Sequence, residues 1–179
     1  MVERKQAQKK ARNIKLLIMD VDGVLTSGLV NIFGDGQEMY TFNVYDGYGI
    51  ILWRRAGFKA GFMTGRNSDA VASRAKKLGV DFLLRAASDK LALCEELARE
   101  EGLEMKEIAF IGDDLQDLAL LKSVGLAMSP ANVRPEVRKH IDYISPLNGG
   151  DAAVRDCIEF ILKSKNLWKD ITNQKRILS

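Results

Sequence analysis

The stretch Ile14-Lys15-Leu16-Leu17-Ile18-Met19 is largely apolar and runs into Asp20-Val21-Asp22-Gly23. Side chains alternate along an extended chain, so two carboxylates two residues apart can point the same way. At ~4 Å and an effective dielectric of about 20 they repel by about 4 kcal/mol. A divalent cation, a proton on one of them, or both must offset that repulsion. An aspartate with the ordinary pKa of ~3.9 is ionised at neutral pH and needs no base to act as a nucleophile. Carboxylates attack phosphoryl groups to form aspartyl-phosphates. In that chemistry Asp20 attacks and Asp22 shuttles the proton, as acid toward the leaving alkoxide and as base toward the hydrolytic water.

Three further elements carry matching chemistry. Thr64-Gly65-Arg66 follows an apolar run ending Phe62-Met63, and its loop amides suit a phosphate oxygen. Lys90 opens a helical pattern after Ser88-Asp89 and offers a point charge to the nucleophile and to phosphoryl oxygens. Gly112-Asp113-Asp114-Leu115-Gln116-Asp117 follows Ile108–Ile111 and adds hard oxygen ligands, with Asp117 a turn along the helix. An oxygen-only donor set beside a phosphate fits Mg²⁺. Taken singly, these are a helix cap, a loop and a lone lysine. Their common placement at strand ends and helix starts, in this order, points to one phosphoryl-transfer site. The single histidine, His140, excludes a multi-histidine zinc site and sits in a helical stretch away from any nucleophile.

The elements that must position these residues are legible as alternating patterns. Strands are predicted at Lys15–Met19, Lys59–Met63, Phe82–Leu84, Ile108–Ile111, Leu126–Met128 and Tyr143–Ile144. Helices are predicted at Gly49–Ala56, Ser68–Leu78, Asp89–Glu101, Leu115–Val124, Pro135–His140 and Ala152–Lys163. Gly57, Gly79, Gly102 and Gly125 stand where helices would end. The alternation predicts an α/β fold with a mostly parallel, Rossmann-like sheet and helices on both faces. One segment departs from it: Leu29 to Val44, folded about Gly34-Asp35-Gly36, reads as a β-hairpin flap beside the acidic pair.

The 179 residues fit one domain, with a basic extension at 1–13 and a C-terminal tail at about 165–179. The formal charge of +3 gives no case for a nucleic-acid partner, and the tail lysines and arginines read as solvated ends. No apolar run reaches the ~20 residues of a membrane span, and residues 1–13 lack the apolar core of a secretory signal. Cys94 and Cys157 fall in amphipathic patterns and read as buried thiols of a reduced, cytoplasmic protein.

The four elements, in order, resemble the motifs of the haloacid dehalogenase-like superfamily. Asp20 to Thr26, Asp46-Gly47-Tyr48-Gly49-Ile50, Thr64 to Ser68, Ser88-Asp89-Lys90 and Ala131 to Val137 resemble more closely its family of 3-deoxy-D-manno-octulosonate 8-phosphate phosphatases. That resemblance spans roughly Ile14 to Leu162. It implies a fold without a large cap domain, Mg²⁺ as cofactor and an aspartyl-phosphate intermediate. Asp20, Asp113 and the Asp22 carbonyl would bind the metal, Thr64, Gly65 and Lys90 the phosphate, and Asp114 and Asp117 would support them. It also implies a homotetramer built through the hairpin, neighbouring subunits covering one another's sites. Arg66, Arg74 and Arg85 are candidates to pair a substrate carboxylate, and Asp46 and Asn132 are further substrate candidates. The expected activity is hydrolysis of a phosphorylated 2-keto-3-deoxy sugar acid, the octulosonate 8-phosphate of lipopolysaccharide synthesis before others. A nonulosonate 9-phosphate is the alternative substrate, and a non-catalytic tetrameric assembly partner the alternative of another class. The chain departs from the family at Gly149-Gly150-Asp151-Ala152, where an arginine is usual in place of Asp151, at Arg85-Ala86-Ala87 and at Tyr45.

Overall fold

The computed structural model of the protein describes residues 2–173. Helix α1 (Val2–Arg12) leads into strand β1 (Leu16–Asp20), and a small hairpin follows, β2 (Asn31–Ile32) and β3 (Glu38–Met39). Then come α2 (Val44–Arg55), β4 (Lys59–Met63), α3 (Asp69–Leu78), β5 (Phe82–Leu84) and α4 (Lys90–Glu100). The second half holds β6 (Ile108–Ile111), α5 (Leu118–Ser123), β7 (Leu126–Ser129), α6 (Pro135–Arg138), β8 (Tyr143–Ile144), α7 (Ala153–Ser164) and α8 (Trp168–Thr172).

Six strands form one parallel sheet in the order β5-β4-β1-β6-β7-β8. This is the Rossmann-like arrangement expected, and the order reverses between β1 and β6, where such sheets open a crevice at their carboxyl edge. All five residues of β1 are buried, as a strand covered on both faces must be. Its alternation divides the core in two. Leu17 and Met19 join Trp53, Phe62, Val154 and Ile158 on one face, while Leu16 and Ile18 join Phe110, Cys94, Leu97 and Leu120 on the other. No large cap is present among the described residues.

The structure corrects several expected boundaries. Helix α2 begins at Val44, five residues before the expected start, because Asn43 caps it by accepting from the Tyr45 amide at 2.8 Å. Gly47 and Gly49 lie inside its first turns, where a Cβ would collide with Arg74 and Arg155. The helix expected over Leu115–Val124 is divided into a 3₁₀ turn at Leu115–Asp117 and α5, since Asp114 and Asp117 cap the turn reciprocally.

The basic N-terminal segment is not a free extension. Ala7 and Ala11 of α1 are buried in the core that includes α7, Lys10 pairs with Asp142 at 2.6 Å, and the Arg12 Nε donates to the Ser164 carbonyl at 3.2 Å. At the other end Trp168 packs on the same core, with Arg155 and Lys163 over its ring. Tail residues 174–179 lie outside the described residues. The hairpin is present but short, two residues a strand, closed by Phe33 N–H donating to the Gln37 carbonyl at 2.9 Å.

Candidate active site

Strand β1 delivers Asp20 to the carboxyl edge of the sheet, and the chain then turns sharply. The amides of Val24, Leu25 and Thr26 all donate to the Val21 carbonyl, and the Thr26 hydroxyl accepts from Gly23 and Gly28 while donating to Val21. Gly23 adopts a φ of +85°, and a Cβ there would strike the Asp113 carboxylate. Glycine after the acidic pair is therefore what lets strand ends β1 and β6 bring their aspartates together.

Carboxylate oxygens of Asp20, Asp113 and Asp117 lie within 4.8 Å of one another. Lys90, from the first turn of α4, reaches between two of them, 2.9 Å from Asp20 Oδ1 and 2.6 Å from Asp117 Oδ1. Asp117 is already saturated: its other oxygen accepts from the Asp113 amide at 2.9 Å and the Asp114 amide at 3.4 Å. It shapes the loop and orients Lys90. Asp20 Oδ2 and Asp113 Oδ1, by contrast, are buried with no partner. Two orphaned carboxylate oxygens in a site whose donors are all oxygen fit a hard divalent cation such as Mg²⁺.

Burial, then the charge of Asp117, pushes the Asp20 carboxyl up to about 7 against the pull of Lys90. The strand end that positions Asp20 thus also desolvates it, and Lys90 works against that burial to keep the carboxylate charged. Burial, with Asp117 and Asp114 beside it, likewise pushes Asp113 up to about 7. Burial works against the Lys90 ammonium, but Asp20 and Asp117 outweigh it and hold its pKa above the usual lysine value. The buried pocket thus holds one cation among three carboxylates and has room for more positive charge.

Thr64 is fully buried at the end of β4. Its hydroxyl donates to Asp22 Oδ2 at 3.3 Å and accepts from the Arg66 amide at 3.1 Å. Asp22 and Arg66 line a cavity of about 170 Å³ whose other wall is the flap, including Asn31, Glu38 and Tyr40. Arg66 pairs there with Glu38 at 2.6 Å, and Gly65 lies exposed at the loop between.

Several expected participants lie elsewhere. Arg74 donates to the Asn43 carbonyl at 3.3 Å and stacks on Phe42, inside the packing of the flap on α3. Arg85 is exposed and pairs with Asp69. Asp114 is exposed and spends its carboxylate on the Leu115 amide at 2.7 Å, capping the turn that carries Asp117. Asp46 is buried, and its Oδ1 accepts from the Arg155 amide at 2.8 Å, capping the start of α7 rather than meeting a substrate. Asn132 reaches the site, but its contacts are with protein: Gly23, Asp113 and Gly149. The motif Asp20 to Thr26 was identified without a role for Thr26, which clamps the turn after Asp20, and sequence reasoning missed Ser129, whose hydroxyl donates to the Gly112 carbonyl at 2.6 Å. A hydroxyl closing an apolar strand, as Ser129 closes β7, was the available signal.

The family model described as haloacid dehalogenase-like hydrolase matches residues 66–158. The 3-deoxy-D-manno-octulosonate 8-phosphate phosphatase of Escherichia coli K12 is 37% identical over 165 residues, 92% of this chain and 88% of the relative. The crystal structure of the Moraxella catarrhalis phosphatase of the same name, in complex with a magnesium ion, a phosphate ion and a KDO molecule, superposes with a TM-score of 0.91 at 37% identity, covering 93% of this chain and 95% of that one. The cobalt-bound Haemophilus influenzae deoxy-D-mannose-octulosonate 8-phosphate phosphatase gives 0.89 at 29% identity, covering 95% and 99%.

Proposed function

The chain belongs to the haloacid dehalogenase-like hydrolases, together with the 3-deoxy-D-manno-octulosonate 8-phosphate phosphatases, and from that premise we propose that it hydrolyses 3-deoxy-D-manno-octulosonate 8-phosphate with Mg²⁺ as cofactor. The observation that carries the reading is the pair of partnerless buried oxygens on Asp20 and Asp113, with Lys90 already bound to the other side of Asp20. Asp20, Asp113 and the Asp22 carbonyl would hold the metal, which supplies positive charge to the phosphoryl oxygens and favours the ionised nucleophile.

An Asp20 oxygen attacks phosphorus and the bond to the sugar oxygen breaks. Asp22, held by the Thr64 hydroxyl, gives its proton to that leaving oxygen. Asp22 then takes a proton from water, which attacks the same phosphorus, releasing inorganic phosphate and restoring Asp20. Lys90 stays fixed on Asp20 throughout and offsets charge on the phosphoryl group, while Thr64 and the amides after it flank the phosphate.

The cavity of about 170 Å³ is smaller than the ~300–1,000 Å³ of usual small-molecule sites. Its flap wall exposes Leu29, Val30, Ile32, Phe33 and Met39. An apolar flap of two-residue strands supports a homotetramer in which neighbouring subunits complete the sugar site. The free, buried thiols Cys94 and Cys157 accord with a cytoplasmic location.

The test is phosphate release from the octulosonate 8-phosphate, with Mg²⁺ and with EDTA, by the wild type and by Asp20→Asn. Activity is expected only in wild type with metal. Full turnover by Asp20→Asn would sink the mechanism, and a higher kcat/KM on a nonulosonate 9-phosphate would reassign the sugar.

A further inference from the structure

Asn132 follows β7 in the loop Pro130-Ala131-Asn132, and its side chain makes three hydrogen bonds to three different loops. Nδ2 donates to the Gly23 carbonyl at 3.0 Å and to Asp113 Oδ2 at 3.3 Å, and Oδ1 accepts from the Gly149 amide at 2.7 Å. A primary amide has two N–H donors and one carbonyl acceptor, so both donors and the acceptor are used. Gly149 in turn lies so close to Gly23 that a Cβ on it would overlap the Gly23 carbonyl.

The consequence falls on Asp113. A carboxylate rotates easily about its last bond, and two things fix this one. Gly23 leaves room for it, and Asn132 holds Oδ2, so that Oδ1 is the oxygen left buried and partnerless. The holder is neutral, so it orients the carboxylate without cancelling its charge as a lysine would. We infer that Asn132 is a positioning residue for the divalent cation: it sets the Asp113 carboxylate for metal binding and ties that setting to the Gly149-Gly150 turn. The inference rests on the Mg²⁺ reading above and replaces the expectation that Asn132 touches substrate.

The experiment is calorimetric titration of metal-free full-length protein with Mg²⁺, for wild type, Asn132→Ala and Asn43→Ala. Asn43 donates to the Gly150 carbonyl at 3.1 Å, so its removal loosens the same turn without touching Asp113. Removing a group that orients a metal ligand weakens metal binding by about 10–100-fold. That loss is expected for Asn132→Ala alone, with KM for the sugar phosphate at saturating Mg²⁺ unchanged. Asn132→Ser, too short to span the three partners, carries the same readout should the alanine variant not fold. Wild-type Mg²⁺ affinity in the Asn132 variants overturns the inference, as does an equal loss in Asn43→Ala. A raised KM with unaltered metal affinity returns Asn132 to the substrate. A wild type that binds no Mg²⁺ removes the metal reading itself, and this inference with it.

Discussion

Lys90 stands between two buried carboxylates, and its removal leaves Asp20 and Asp117 facing each other without a counter-charge. Breaking a buried ion pair from one side costs about 3–5 kcal/mol. Lys90→Met is expected to lose stability of that order in EDTA, and visibly less with Mg²⁺ present, by urea denaturation in the two buffers. An equal loss in both would separate Lys90 from the metal site. Asp46 gives a different signature. Burial raises its carboxyl to about 6, against the pull of the Arg155, Ala152 and Val154 amides. Its proton is therefore held more tightly folded than unfolded, and the associated stability is present below pH ~4 and lost as pH rises through about 6. Asp46→Asn keeps an acceptor for Arg155 and removes the buried charge. Its stability relative to wild type should rise between pH 4 and pH 7, by an upper bound of about 3 kcal/mol. A pH-independent difference would contradict this.

At the level of elements, the strands were the most legible part. The central strands β1, β4 and β6 are short apolar runs with a polar residue at or just past their ends, because a strand covered on both faces has no polar side and its end is where polarity resumes. The proposed phosphate and metal residues were found from the same pattern: Asp20, Thr64 and Asp113 stand at or just past strand ends. The first turn of α2 was not legible, since Gly47 and Gly49 serve close approach of arginines from α3 and α7, and such long-range crowding leaves no local trace. Helix α1 was hidden because its buried face consists of alanines, which give little apolar contrast to the lysines around them. Those alanines are nonetheless tightly packed. Ala11→Leu is expected to lower stability by about 1–3 kcal/mol through overpacking, measured by the urea midpoint, whereas a solvated extension would tolerate it. The sugar candidates were the least legible, because an arginine's reach tells nothing of its direction. Arg66 points into the cavity, while Arg74 and Arg85 are spent on Asn43 and Asp69.

For the molecule as a whole, the open question of the sheet edge is what covers it. The flap presents large apolar side chains to solvent, Leu29 at 77%, Ile32 at 67% and Phe33 at 56% exposed. Replacing Phe33 and Leu29 together by Asp should break the proposed tetramer into chains of 19.9 kDa, read by light scattering, and reduce turnover of the sugar phosphate with it. A variant that stays tetrameric would place the interface elsewhere. Two-residue strands cannot hold a shape of their own, so this flap takes its form from whatever it packs against. On the assembly proposed above, a subunit lends its flap to a site that is not its own. A lesion in the flap would then be felt by the neighbour, and a lesion at Asp20 only by its bearer. Mixing a flap-defective chain with an Asp20-defective one would accordingly restore part of the activity, because a site with both parts intact forms wherever the first receives the flap of the second.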